Sequence, residues 1–372
     1  MSPASPAAYL EVDLDALRAN YRALRAAAPR ATCAGVVKAD AYGLGLAPVA
    51  RVLADEGCTV FFTATLDEAL ALRPVVGPAP VIAVLNGYFE GQLTEFTAHD
   101  LTPVLNDPGQ LARRQAECNR LNQALPAFLH IDTGMNRLGL SAAELDRLVE
   151  RTDAFSGPRW QAVMSHFACA DVPEHPLNRR QARRFQAARA KLPEMPASFA
   201  NSAAVLSAPT THFDLVRPGI ALYGGAALVD RPNPMQPVVR VMAPVLQVRK
   251  VERDDTIGYG ATARAAHDTE IALVAAGYAD GYPRAASNRG HVAIGAHLAP
   301  IIGRVSMDML AVDLSDLPPG AVAVGDMVEV LGPRATVDAA ADSAQTIAND
   351  LLTNLGGRYR RRYLGAAGEP GE

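Results

Sequence analysis

A lysine directly after an apolar strand is an unusual place for a charge, and Val36-Val37-Lys38-Ala39-Asp40-Ala41-Tyr42-Gly43 puts one there. Lysine is rarely buried without a partner. Where it is, desolvation lowers its pKa and leaves a neutral amine able to form a Schiff base with an aldehyde. The ordinary alternative is a lysine that lays its stem along the strand and reaches solvent, and Lys38 alone does not decide between the two. Later segments add to it. His130-Ile131-Asp132-Thr133-Gly134-Met135-Asn136-Arg137 follows one apolar run and Ser165-His166 follows another; Asn201-Ser202 and Arg217-Pro218-Gly219-Ile220 follow two more. Taken singly, Arg137 and Arg217 read equally well as structural ion pairs, and His166 as a satisfied core histidine. Further on, Gly258-Tyr259-Gly260 sets a tyrosine between two glycines, a pattern that speaks for a turn or a close backbone approach rather than a core aromatic.

Groups so far apart need a frame that brings them together. Up to about Arg231 short apolar runs alternate with amphipathic helical ones, the mark of βα units. Strands are expected at Ala34–Val37, Thr59–Thr63, Val81–Leu85, Thr102–Leu105, Ala127–Ile131, Gln161–Ser165, Ala197–Ala200 and Asp214–Arg217. Asp13 is placed to cap a first helix with Leu14, Leu17, Tyr21 and Leu24 on one face, and a second helix covers Leu46–Glu56 and stops at Gly57. Asp107-Pro108 and the Ser141/Glu144 capping box open two more. Eight such units in about 220 residues predict an α/β fold, a TIM-type (β/α)8 barrel. Barrel enzymes carry their chemistry at the C-terminal ends of the strands, where all but Tyr259 of these groups fall, and commonly bind phosphate after strands seven and eight, where Ser202, Gly219 and Ile220 lie.

The pattern changes at the proline-rich stretch Asp230–Pro237, which reads as a linker. Strands are expected beyond it at Val238–Val251, Ile271–Tyr278, His291–Ile294, Leu310–Leu314 and Met327–Leu331, with a last helix at Ala344–Leu355. The chain thus divides into a barrel over residues 1–232, its first residues free to pack on the second domain, and a mainly β domain over 233–372. With 372 residues, 49% of them hydrophobic, and a formal net charge of −4, it has material for a large core and no basic surface suited to nucleic acid. The short basic run Arg358–Arg362 reads as a solvated or dimer-facing segment. No apolar stretch is long enough to span a membrane, no secretory signal pattern opens the sequence, and Cys33, Cys58, Cys118 and Cys169 show neither paired nor metal-type spacing. A cytoplasmic enzyme with reduced thiols is expected.

Taken together, the motifs Val37–Gly43, Asp132-Thr133-Gly134-Met135 with Arg137, Arg217–Ile220, Gly258-Tyr259-Gly260 and Met307-Asp308, in this order and at this spacing, resemble bacterial alanine racemase over nearly the whole chain. The resemblance implies a pyridoxal 5'-phosphate enzyme that interconverts L- and D-alanine and supplies D-alanine for peptidoglycan. It implies a homodimer with shared active sites. Lys38 would hold the cofactor as a Schiff base and act as the base for the D substrate. Tyr259, from the partner subunit's β domain, would serve the L substrate from the opposite face, since racemisation needs one group to remove the α-proton and another to return it. Arg217 would face the pyridine nitrogen, with His166 bonded to it and relaying to Tyr259. Tyr42, Ser202, Gly219 and Ile220 would hold the phosphate; Arg137 and the Met307 amide would hold the substrate carboxylate, and Tyr278 would be a further tyrosine from the partner. No metal is implied.

Three positions depart from the family. His130 stands where many relatives carry a carbamylated lysine that positions the arginine, so Arg137 must be held otherwise, by Asn136 or a bound anion. Ser306 replaces a common cysteine beside Met307. Asn349 falls where a phosphate-binding tyrosine is usual, which widens the pocket and leaves room for a broader alanine/serine specificity. Two readings from other classes compete. His130, Asp132 and His166 offer a zinc-ligand set for a barrel hydrolase, but that leaves Lys38 and Arg217 idle. A cofactor-binding homeostasis protein on a similar barrel lacks the second domain, and related barrel-plus-β decarboxylases lack the racemase motifs with Arg217.

Overall fold

The computed structural model describes residues 7–365. Strand β1 (Tyr9–Asp13) comes first in the chain but belongs to the second of its two large sheets; helix α1 (Leu14–Ala27) then begins the barrel. Asp13 caps α1 by accepting the N–H groups of Asp15 and Ala16 at 3.0 and 2.9 Å, and Leu14, Leu17, Tyr21 and Leu24 form its buried face. The first barrel stave is split into β2 (Thr32–Cys33) and β3 (Gly35–Val36). After them come the turn α2 (Lys38–Gly43), α3 (Leu46–Asp55) and the remaining units in strict alternation: β4 (Val60–Thr63), α4 (Leu66–Val76), β5 (Val81–Val84), α5 (Leu93–Ala98), β6 (Leu101–Leu105), α6 (Pro108–Leu121), β7 (Pro126–His130), α7 (Ala142–Val149), β8 (Arg159–Met164), α8 (Pro176–Arg189), β9 (Ala197–Asn201), α9 (Ser202–Ser207) and β10 (Leu215–Arg217).

Every barrel pairing is parallel, and the ring closes at the split stave. β2 pairs with β10 while β3 pairs with β4, and the changeover falls at Ala34, whose N–H bonds Val216 O at 2.9 Å. The nine strand segments therefore make eight staves, the barrel that the sequence predicts. Strands covered on both faces should be apolar throughout, and all five residues of β6 are buried.

The second domain is built on one long strand, β11 (Val239–Val251), followed by the small hairpin β12 (Thr256–Ile257) and β13 (Ala263–Arg264), then β14 (Thr269–Val274), β15 (His291–Ile294), β16 (His297–Pro300), β17 (Leu310–Asp313) and β18 (Met327–Leu331). β11 pairs antiparallel with β1, β14 and β18 along its length. Helices α10 (Val337–Ser343) and α11 (Ala348–Thr353) lead to β19 (Arg360–Leu364), which pairs in parallel with β1.

Three local expectations need correction. The single helix at Ala344–Leu355 is in fact two short helices, because Gln345 takes φ 57° and Ile347 is extended. The strand expected to reach Tyr278 stops at Val274, where Gly277 opens a 3-10 turn over Tyr278–Asp280. The basic run is not merely solvated. Arg360–Leu364 is a strand in which Arg362 stacks over the Tyr9 ring at 3.8 Å, while Arg361 donates to the carbonyls of Gly43 and Leu355 at 3.1 and 3.3 Å.

Candidate active site

Lys38 enters a backbone conformation that the sequence does not announce. Ala39, Asp40, Ala41 and Tyr42 all have φ between 52° and 58°, one full turn of left-handed helix without a glycine. Each such residue costs about 1–2 kcal/mol, which surrounding contacts must offset. Asp40 accepts Leu46 N–H at 2.7 Å, and the Glu68 carboxylate accepts Ala39 N–H at 2.7 Å. The Tyr42 ring stacks on Tyr223 with centroids 4.6 Å apart. Gly43 closes the turn at φ 80°, where a Cβ would lie 2.5 Å from Leu352 O.

The turn opens onto a cavity of about 1170 Å³ at the C-terminal ends of the strands, lined by Lys38, Tyr42, His130, Arg137, His166, Ser202, Arg217, Gly219, Ile220 and Asn349. Lys38 is half-buried, and among the described residues its amine has no hydrogen bond or ion pair. Burial first, and Arg137 second, lower its pKa, with Glu68 opposing them.

Arg217 is 4% exposed and donates to Ser198 Oγ at 2.5 Å, Ser165 O at 2.6 Å and His166 Nδ1 at 3.2 Å. Burial and Arg137 lower it to about 9, which leaves it protonated at neutral pH. A guanidinium only donates, so His166 Nδ1 must accept and the imidazole proton sits on Nε2. Burial and then Arg217 hold His166 far below the usual histidine range, so it is neutral. His130 is neutral as well, pushed down to about 3 by burial and the two arginines. Its Nδ1 meets Asn106 Oδ1 at 2.7 Å, and since the Asn106 amide nitrogen donates to Leu85 O and Val104 O, His130 must be the donor. His130 therefore brings no negative charge to Arg137. Asn136 does not hold it either: among the described residues the exposed Arg137 makes no hydrogen bond or ion pair.

On the far side of the cavity, Ser202 Oγ accepts the N–H groups of Gly219 and Ala221 at 2.8 and 3.3 Å. A Cβ at Gly219 would lie 2.3 Å from the Tyr42 hydroxyl, so glycine is what lets that hydroxyl reach this loop. Hydroxyls, backbone amides and the cations Lys38, Arg137 and Arg217, with no carboxylate paired to either arginine among the described residues, suit a ligand carrying a phosphate and a carboxylate. A zinc set does not form. Among the described residues no three His, Cys, Asp or Glu side chains converge, and Asp132 Oδ1 is taken up by the N–H groups of Gly134, Met135 and Asn136.

Three of the expected residues lie outside this cavity. Tyr259, Tyr278 and Met307 are 70, 43 and 53% exposed on the second domain. Tyr278 and Met307 lie together. Tyr278 N–H bonds Ser306 O at 3.1 Å, and Gly277 packs so closely that a Cβ would meet Met307 O at 2.3 Å. Gly258 and Gly260 both take φ 73° around Tyr259. Arg358 ties the Tyr278 and Met307 segments together by pairing with Asp308 at 2.8 Å and Asp280 at 3.3 Å.

Sequence reasoning missed the supporting residues. Ser198 and the Ser165 carbonyl aim Arg217, Gln181 bonds His166 O at 2.9 Å, and Asn106 fixes His130. Only Glu68 left a readable trace, the Thr65/Glu68 capping box of α4.

The alanine racemase N-terminal domain family matches residues 12–227 and the alanine racemase C-terminal domain family matches 238–363. An alanine racemase of Rhodospirillum rubrum is 46% identical over 359 residues, covering 96% of each chain. A catabolic alanine racemase of Mesorhizobium japonicum is also 46% identical, over 98% of this chain and 95% of its own. Among solved structures, alanine racemase from Bartonella henselae with covalently bound pyridoxal phosphate superposes with a TM-score of 0.92 at 37% identity, over 97% of this chain and 100% of that one.

Proposed function

The chain belongs to the alanine racemase family, and from that premise we propose that Lys38 and Tyr259 are the two groups that exchange the α-proton of alanine. It is a pyridoxal-phosphate-dependent racemase acting on alanine. The single observation that carries the assignment of residues is the lone half-buried amine of Lys38, at the barrel-mouth cavity that Arg137 and Arg217 also line.

When bound, the cofactor withdraws electrons from the substrate's α-carbon and so acidifies its proton. The residues present fit it. Lys38 would hold it covalently, Tyr42, Ser202, Gly219 and Ile220 would hold its phosphate, and Arg217 would face its ring nitrogen as a donor that stays protonated at neutral pH. Arg137 and the Met307 amide would hold the substrate carboxylate. Lys38 serves the D enantiomer and Tyr259 the L, each returning a proton to the face opposite the one from which the other removes it. His166 has its Nδ1 engaged by Arg217, so its Nε2–H is left to donate. A donor at that nitrogen stabilises a phenolate, which is the form Tyr259 needs as a base.

Tyr259, Tyr278 and Met307 stand exposed outside their own chain's cavity, and a two-fold dimer in which each chain offers these residues to the other's cavity puts them to use. We take residues 1–232 as the cofactor-binding domain and 233–372 as the donor of these residues. We assign it to the cytoplasm, where its four free cysteines would stay reduced, and to the supply of D-alanine for peptidoglycan. The direct test is to incubate the purified protein with each alanine enantiomer separately. Both reactions should end at the same equal mixture, because enantiomers have equal free energy. Conversion of neither would reject the reading.

Asn349 favours a wider substrate range. It is half-buried at the cavity wall, a short side chain in a space that can admit a hydroxymethyl group. Serine should be racemised measurably, and Asn349→Tyr should cut serine turnover relative to alanine by about tenfold or more. An unchanged ratio in chiral chromatography would show that another group fills the space.

A further inference from the structure

We infer that Glu68 is a positioning residue for Lys38, its carboxylate tying the backbone just after the lysine to the end of the neighbouring barrel strand. The inference rests on the reading of Lys38 as the reactive amine. Glu68 Oε2 accepts Ala64 N–H at 2.7 Å and Thr65 N–H at 3.4 Å, which completes the capping box of α4. The helix needs nothing more. Yet Oε1 reaches across to Ala39 N–H at 2.7 Å, 29 residues away in sequence and on the next stave of the barrel. Ala39 is the first residue of the left-handed turn, and its peptide plane is shared with Lys38. Without an acceptor there, that plane is free to rotate, and the lysine Cα–Cβ direction moves with it.

The bond is made by a charge, and the charge faces the amine. The charged groups that bear on the Lys38 amine are Arg137, in the loop after β7, and Glu68; Arg217 lines the same cavity but is engaged by Ser198, Ser165 and His166, Asp40 is occupied by Leu46 N–H, and His130 and His166 are neutral. Glu68 is thus the anion that offsets burial and Arg137. Glutamine cannot replace it. Both carboxylate oxygens accept from backbone N–H groups, whereas an amide offers one acceptor and turns a donor toward the other N–H.

The test compares wild type with Glu68→Gln, Glu68→Asp and Thr65→Ala. Borohydride reduction of each holoenzyme, followed by peptide mapping, locates the cofactor-bearing lysine. Acylation of Lys38 by acetic anhydride in the cofactor-depleted full-length protein, followed by mass spectrometry across pH, reads the amine's titration. Removing the anion leaves burial and Arg137 unopposed, so the Glu68→Gln curve should shift to lower pH and Lys38 should label faster at neutral pH. The kcat should fall by about tenfold to a hundredfold as the amine loses its aim. Glu68→Asp keeps the charge and should return the curve toward wild type. Thr65→Ala breaks the cap while leaving the Ala39 bond, so it should lower thermal stability without moving the curve. A wild-type curve and kcat in folded Glu68→Gln, or the same shift in Thr65→Ala, would overturn the inference. A wild-type adduct on another lysine would reject the reading of Lys38 and the inference with it; an adduct on Lys38 with curve and kcat both unmoved in Glu68→Gln rejects only the role of Glu68.

Discussion

Lys38→Ala is expected to lose the visible absorbance of the protein-bound cofactor and to lower racemisation in both directions by on the order of 10⁴-fold, the upper range for removal of a positioned acid–base group. The physical ground is the environment of the amine. It stands half-buried, without an ion pair among the described residues, and is driven toward its neutral form by burial and Arg137. The other lysines lack that setting; Lys191, for instance, is paired to Asp146 on the outside of the barrel. Borohydride treatment of wild type should therefore place the reduced adduct on the Lys38 peptide and should trap nothing in the variant. An adduct on Lys191 or Lys250 would refute the assignment. The loss must also be symmetric. Both directions pass through Lys38, once as the group that removes the proton and once as the group that returns it.

The second large effect tests whether Lys38 and Tyr259 meet across a subunit boundary. Tyr259 is 70% exposed and is not among the residues of its own chain's cavity. In a two-fold dimer each site would take Lys38 from one chain and Tyr259 from the other. Homodimers of Lys38→Ala and of Tyr259→Phe should each be nearly inactive, since every site lacks one group. When the two are unfolded and refolded together in equal amounts, about half of the dimers are mixed, and each carries one intact and one doubly damaged site, so activity should return to about a quarter of wild type. If both groups came from one chain, every site in the mixture would keep a lesion and activity would stay near zero. Differential tagging verifies that mixed dimers formed, so a persistent loss would reject the shared site.

What was legible in the sequence was whatever is decided within a few residues. The Asp13 cap and the Ser141/Glu144 box are where their spacing put them, because a side chain and the N–H groups it satisfies lie two or three residues apart. The barrel was legible for a related reason. Each βα unit carries its own apolar period, and eight in a row admit few arrangements. The polar groups at the strand ends converge as expected, with Lys38, Arg137, His166, Ser202 and Arg217 all lining one cavity.

Tertiary structure alone decided the rest. No residue of Ala39-Asp40-Ala41-Tyr42 is a glycine, so nothing local signals a left-handed turn; it exists because Glu68, Asp40 and the Tyr42–Tyr223 stack outweigh its strain. Arg358–Arg362 looked like a solvated charge run because the partners of those arginines come from distant parts of the chain: Tyr9, Gly43, Asp280 and Asp308. β1 and β19, from opposite ends of the described chain, pair with each other, and no short-range pattern encodes a partner that far away. The protonation of the site follows the same rule. The sequence supplied two histidines and two arginines, but burial and the direction of single hydrogen bonds determined that both histidines are neutral and which nitrogen of each keeps its proton.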